Sequence, residues 1–349
     1  MANITIETLE KLSNADGIAS CEQEVRDVIK ANISKHVDDI SYDGLGSLIA
    51  TKKGQPGGPK IMICAHMDEV GFIVRSISAG GLIQLMVVGG VKLNAQQFQK
   101  LRVTTQTGAK ISGIVCGEYD KTAASKLYLD VGATSAEDVT QLGIQIGDMV
   151  TYATPFESFG LTDIYAGKAL DDRLGCFIMT EIAKRLADES LESTIQYAAT
   201  SSEEVGIRGA KTAVYAGNPD VVFVIDVACF PDEYVRDHTN NRQIGKGMML
   251  THFDRTLAPN RQLIKMIKET AQRHQWPLQL DMFNNGGTDG GEAHKVNEGK
   301  PTVVTCLPCR YGHCAYSMID MKDIEDCISI YVDLLKNFHQ KDLQNLLTF

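Results

Sequence analysis

Seven side chains in this sequence have the types and settings to hold divalent cations and move a proton. His66 closes the apolar run Lys60-Ile61-Met62-Ile63-Cys64-Ala65, Asp226 closes Val221-Val222-Phe223-Val224-Ile225, and His313 follows Thr302-Val303-Val304-Thr305 after a short loop. Asp171 lies in Lys168-Ala169-Leu170-Asp171-Asp172-Arg173, and Glu203 and Glu204 follow the strand-like Thr194-Ile195-Gln196-Tyr197-Ala198-Ala199. Asp68, two residues beyond His66 in an extended segment, faces the same way and could orient its imidazole. Two histidines and three carboxylates suit two divalent cations of the Zn, Co or Mn type, sharing one carboxylate at a separation of about 3.5–4 Å. Three carboxylates against two dications leave about one positive charge, which favours an activated water and therefore hydrolysis. The side chains of adjacent glutamates diverge, so one of Glu203 and Glu204 would ligate while the other serves as general base.

Other readings compete at each position. Asp171-Asp172 fits a helix N-cap with an acidic first turn equally well. Cys306-Leu307-Pro308-Cys309 with His313 resembles half of a zinc ribbon, but lacks a second pair. The loop Asn285-Gly286-Gly287-Thr288-Asp289-Gly290-Gly291 has neither spacing of a nucleotide-phosphate loop, and suits close backbone approach to a substrate. Asp226 is the hardest to dismiss, because an unpaired carboxylate in an apolar run costs several kcal/mol unless a cation neutralises it.

These residues need a frame, and the hydrophobic pattern supplies one. Short β-branched runs bounded by turn residues read as buried parallel strands, whose carboxyl ends are where ligands gather. Val25, Val28, Ile29, Ile33 and Val37 recur at helical spacing after Ser20-Cys21-Glu22-Gln23, which has the form of a capping box. Leu174, Phe177, Ile178, Ile182 and Leu186 form a second stripe, Leu263, Ile264 and Ile267 a third, and Ile324, Ile328, Tyr331, Leu335 and Phe338 a last. Strands alternating with helices predict an α/β sheet. Between Phe72 and Asp163 the texture changes to short Val/Ile/Thr segments broken by Ala79-Gly80-Gly81 and Gly89-Gly90. The expected division is an α/β domain of residues 1–71 and 164–349, with an inserted all-β domain at 72–163.

The 349 residues are enough for two domains, and 44% hydrophobic with 22% charged residues is ordinary for a globular protein. A net charge of −10 with no basic patch argues against nucleic acid as partner. No apolar stretch approaches the ~18 residues of a membrane span, and the opening residues lack a signal-peptide pattern. With nine cysteines, an odd number, the expectation is reduced thiols and a cytoplasmic protein.

Together, Ala65-His66-Met67-Asp68-Glu69-Val70-Gly71-Phe72, the Lys168–Arg173 segment, Ser202-Glu203-Glu204-Val205-Gly206-Ile207-Arg208-Gly209, Gly286-Gly287-Thr288-Asp289 and Arg310-Tyr311-Gly312-His313 resemble the glutamyl and deblocking aminopeptidases. These are tetrahedral dinuclear-metal peptidases, formerly labelled endoglucanases. The resemblance implies a three-layer, mixed-sheet α/β peptidase domain with a PDZ-like or barrel-like insert. It also implies that His66 and Asp226 hold one metal, Glu204 and His313 the other, that Asp171 bridges them, that Glu203 is the general base and that Asp68 orients His66. Short peptides as substrates, a cis Asp171-Asp172 bond, and dimers assembling through the insert into a dodecamer follow from the same likeness. Cys314 departs from the Ser common at that place in relatives, and could make activity sensitive to oxidation. The alternatives are a metal-dependent amidase, deacylase or glycosidase on the same scaffold, or a non-catalytic assembly module.

Overall fold

The computed structural model describes residues 6–119, 124–229, 242–283 and 285–348. Helices α1 (Ile6–Asn14) and α2 (Gln23–Ile33) lead into strands β1 (Asp39–Tyr42), β2 (Leu48–Lys52) and β3 (Lys60–His66). The chain then builds β4 (Gly71–Ile77), β5 (Ile83–Val88), β6 (Lys100–Thr104), β7 (Lys110–Tyr119), β8 (Ala124–Asp130), helix α3 (Ala136–Gln141) and β9 (Met149–Tyr152). After β10 (Glu157–Ser158) and β11 (Ile164–Gly167) come α4 (Leu170–Leu186), β12 (Thr194–Thr200), α5 (Arg208–Gly217), β13 (Val221–Cys229) and β14 (Met249–Thr251). The remainder is α6 (Arg261–His274), β15 (Gln279–Asp281), α7 (Gly290–Ala293), β16 (Thr302–Cys309), β17 (Ser317–Asp320), α8 (Met321–Lys336) and α9 (Gln340–Leu346).

The main sheet has the order β1-β2-β12-β3-β13-β16-β14-β15. Its centre, β12, β3, β13 and β16, is parallel, and antiparallel pairings at β2 and β14 make the whole sheet mixed. Alternation along the strands explains the layers. Ile61, Ile63, Ala65, Val221, Phe223 and Ile225 join a core with Leu174, Phe177 and Ile328, whereas Met62, Cys64, Val222 and Val224 join another with Ala210, Ala213 and Ala293. Helices therefore cover both faces, as a sheet apolar on both sides requires. The six strands β4 to β9 close into a barrel of order β4-β5-β8-β7-β6-β9, around a separate core that includes Phe72, Leu101 and Tyr152. No helix among the described residues is long and apolar enough to cross a membrane.

One local expectation fails. Ser20 has a φ of 70°, α2 begins at Gln23, and no side chain caps its first turn. Glu22 Oε1 accepts the Ser20 N–H at 3.0 Å together with the Ser201 hydroxyl at 2.7 Å and the Ser202 N–H at 3.2 Å, tying the α2 entry to the loop after β12. The box does not form because Ser20 lies outside the helix in a left-handed turn, and the Gln23 amide pairs with Asp27 at 2.8 Å and Arg26 at 2.9 Å instead of reaching back to Ser20.

Candidate metal centre

Sheet register brings the first two residues together. Thr200 of β12 pairs with His66, and the β3–β13 register ends at Val224 with Cys64, two residues before Asp226 and His66, which keep the same side-chain phase and bring ligand atoms within 4.8 Å of each other. β13 runs on to Cys229, so Asp226 lies inside a strand rather than at its end. Its Oδ1 accepts the Val227 N–H at 2.6 Å.

Asp171 enters from the start of α4, where Asp171 and Asp172 have non-helical backbone angles and are joined by a cis peptide bond. Its two oxygens face different imidazoles: Oδ1 lies 3.2 Å from His66 Nε2, and Oδ2 lies 3.4 Å from His313 Nε2. Glu204 Oε1 is 3.3 Å from the same His313 nitrogen. Both histidines present Nε2 because Nδ1 is occupied by an acceptor, the Asp68 carbonyl at 3.0 Å for His66 and the Gly90 carbonyl at 3.1 Å for His313. Gly90 leaves room for that approach, since a Cβ there would stand 3.0 Å from His313 Nδ1 and crowd the ring.

Asp68 departs in detail from its expected contact. Its carboxylate Oδ1 is 3.6 Å from His66 Nδ1, and the hydrogen bond goes to its main-chain oxygen. The carboxylate instead accepts the N–H groups of Glu203 at 2.9 Å and Glu204 at 3.0 Å, because these are the donors presented to it. Asp172 takes the capping role that a sequence reading offers for the pair, with Oδ1 accepting the Gly175 N–H at 3.0 Å and Oδ2 the His66 N–H at 3.2 Å.

The cluster is rich in buried anions. Burial, with neighbouring carboxylates adding to it, pushes Glu203, Asp226 and Asp172 well above the usual carboxylate range. Burial opposes charge on the imidazoles, yet Asp171 and Asp68 hold His66 well above its ordinary value, and Glu204 and Asp171 push His313 up to about 12. Glu204 Oε1 is buried without a hydrogen-bond donor although it faces an imidazole nitrogen. Buried oxygens lacking donors, with two imidazoles turned Nε2-inward, fit divalent cations. Single ligand atoms of His66, Asp171 and Glu204 lie within 4.8 Å of one another, as do those of His66, Asp172 and Asp226.

A cavity of about 630 Å³ opens onto this cluster and is lined by His66, Asp171, Glu203, Glu204, Asp226 and His313 among others. The M42 glutamyl aminopeptidase family matches residues 46–330, a span that holds all seven candidate side chains. The chain belongs to this family. It is 30% identical to the glutamyl aminopeptidase of Lactococcus lactis subsp. cremoris over 329 residues, 90% of this chain and 91% of that one. A TET aminopeptidase from the marine sediment archaeon Thaumarchaeota archaeon SCGC AB-539-E09 superposes with a TM-score of 0.94 at 31% identity, with 98% of each chain covered. The TET1 peptidase of Pyrococcus horikoshii, which can assemble into a tetrahedron or a large octahedral shell, gives 0.85 at 26% identity over 95% of this chain and 99% of that one. This M42 chain is accordingly an aminopeptidase, a hydrolase of peptide bonds that uses divalent metal.

Two residues of the M42 site escape a sequence reading. Asp172 is masked by the plain capping interpretation. Asp289, in the glycine-rich loop, is buried, gives one oxygen to the Thr200 hydroxyl, and leaves Oδ1 without a donor. Burial pushes its carboxyl up to about 6. Cys314 packs against the barrel core and, as expected of a thiol near the site, lines a small cavity with Asp171, Glu204 and His313, while Cys229 lines the cavity of about 630 Å³.

Proposed function

We propose that the M42 chain removes N-terminal residues from short peptides with two divalent ions of the Zn, Co or Mn type. In this reading His66 and Asp226 hold one ion, Glu204 and His313 the other, and Asp171 bridges them. The observation that carries it is the Asp171 carboxylate, which offers one oxygen toward each imidazole. Bound ions would polarise the scissile carbonyl and acidify a water. Glu203, adjacent to Glu204 and buried at the cavity wall, takes the proton from the attacking water and returns it to the departing amine. Asp68 fixes His66 through its carbonyl and the glutamate pair through its carboxylate.

The reading includes a catalytic unit of residues 1–71 and 164–349 and a 72–163 insert through which dimers form and build a dodecamer. Separate hydrophobic cores support the division, and exposed Phe98, Ile114 and Ile146 on the barrel support a contact surface there. A cytoplasmic location goes with nine cysteines, an odd number, in the sequence. The test is chelation, single re-addition of Zn, Co or Mn, and parallel assay of aminoacyl anilides and acetylated amines. Recovery on aminoacyl anilides alone is expected. Preference for acetylated amines would favour the amidase alternative, and metal-independent cleavage would remove the proposal.

A further inference from the structure

Arg173 follows Asp171-Asp172 and is fully buried. An arginine has five N–H donors, and each here has an acceptor. Nε donates to Met67 O at 2.6 Å, Nη1 to Leu12 O at 2.7 Å and Ala15 O at 2.9 Å, and Nη2 to Gly17 O at 3.2 Å and Glu69 Oε1 at 3.0 Å. Met67 stands between His66 and Asp68, so the guanidinium grips the loop that leaves β3 at its centre. The same Glu69 oxygen accepts Lys168 Nζ at 2.6 Å, so this carboxylate holds the chain on both sides of Asp171-Asp172. A further link runs from His66 N–H to Asp172 Oδ2 at 3.2 Å.

We infer that Arg173 is a positioning residue for the metal centre: by joining Met67 to the start of α4 it sets the separation of His66 from Asp171. The inference rests on the metal-site reading above. Core filling alone does not call for a guanidinium, whose burial costs several kcal/mol unless its donors are matched. The planar fork reaches two separate backbone segments, Leu12–Gly17 and Met67, and the Glu69 carboxylate at once with five donors, where a lysine ammonium has three on one atom. Loss of the Met67 link frees the His66 loop to shift against α4, and ligand supports of this kind are worth about 10–100-fold in metal affinity.

The test uses the full chain as parent, Arg173→Lys, Glu69→Gln and Arg102→Met, each titrated with Co(II) after chelation while the visible absorption band is recorded. Arg102 binds Asp16 from the barrel without touching a ligand loop, and its variant controls for lost stability. Arg173→Lys is expected to fold, to bind Co(II) at least about ten-fold more weakly with a changed band, and to lose kcat more than KM. Glu69→Gln is expected to move the band in the same direction by less, and Arg102→Met to lower Tm with the band unchanged. An Arg173→Lys protein with the parent band and affinity would overturn the inference, whether or not its Tm falls. So would equal band changes in Arg102→Met, or failure of both Arg173→Lys and Glu69→Gln to fold, either of which makes the residue a folding element only. A parent that shows no Co(II) band would instead sink the metal-site reading itself.

Discussion

Asp68 and Glu69 are neighbours in the chain and belong to opposite kinds of charge cluster. On the Asp68 side, four carboxylates and two imidazoles converge with too few donors, and burial pushes Glu203 and Asp226 up. On the Glu69 side, Asp16 is equally buried, yet Arg102 reaches it with two contacts of 2.6 Å, Lys110 with one of 2.9 Å and Lys168 with one of 3.1 Å. Burial would raise the Asp16 carboxyl, but Lys168 and Arg102 prevail and hold it well below the usual range. Residue type and burial are the same in both places. What differs is whether the chain supplies its own cations, and the cluster that does not is the one proposed to take them from outside.

The largest effect should separate the two clusters by chemistry. Glu203→Gln is expected to lower kcat by about 10²–10⁴-fold with Co(II) still bound, the usual worth of a general base. Single-turnover hydrolysis beside a Co(II) titration checks it, and a parent-like rate would refute the role of Glu203. At the other cluster, Lys168→Met removes one of the three cations on Asp16 and one of the two on Glu69, leaving Arg102 and Lys110 on the first and Arg173 on the second, and should cost about 3 kcal/mol of stability. Urea denaturation should show that cost in chelated and metal-loaded protein alike. A smaller response belongs to the metal itself. Co(II) at about 100 times its Kd should add about 2.7 kcal/mol to the parent and to Lys168→Met, and none to Asp171→Asn. Equal gains in all three would mean that the ion binds elsewhere.

The two clusters were not equally legible in the sequence. His66 could be found because a buried apolar run announces where its strand ends, Asp226 because a carboxylate within an apolar run calls for a cation, and Glu203 and Glu204 because an acidic pair between a strand and a tight turn is unusual. Barrel and sheet could be told apart because Gly-broken β segments differ from runs that alternate with helical stripes. The partners of Asp16 could not be found. Arg102, Lys110 and Lys168 lie far along the chain from it, on or beyond the barrel, and no local period links them. Ser20-Cys21-Glu22-Gln23 likewise looked like a cap, although Ser20 turns left-handed outside the helix and Glu22 bonds to the distant Ser201 and Ser202 as well as to Ser20. Local pattern reports which face a residue takes. It does not report which distant donor will claim its side chain.

The sharpest test of the contrast is a dependence on pH. Asp16 releases its proton more readily when folded than when unfolded, because Lys168 and Arg102 favour its anion. Its contribution is therefore complete above the unfolded value of about 3.9 and fades as pH falls below it toward the depressed folded value. An asparagine at this position does not titrate. The stability difference between parent and Asp16→Asn, measured by urea denaturation in chelator, should thus be constant from neutrality to about pH 5 and narrow below about pH 4, by on the order of 2 kcal/mol. Carboxylates of the metal centre titrate in both proteins and cancel in the difference. Were Asp16 held like Glu203, with its carboxyl raised, the difference would change in the opposite direction and at higher pH. A gap that stays flat down to pH 3 would show that its cations do not stabilise the charge, and the distinction between the two clusters would fail.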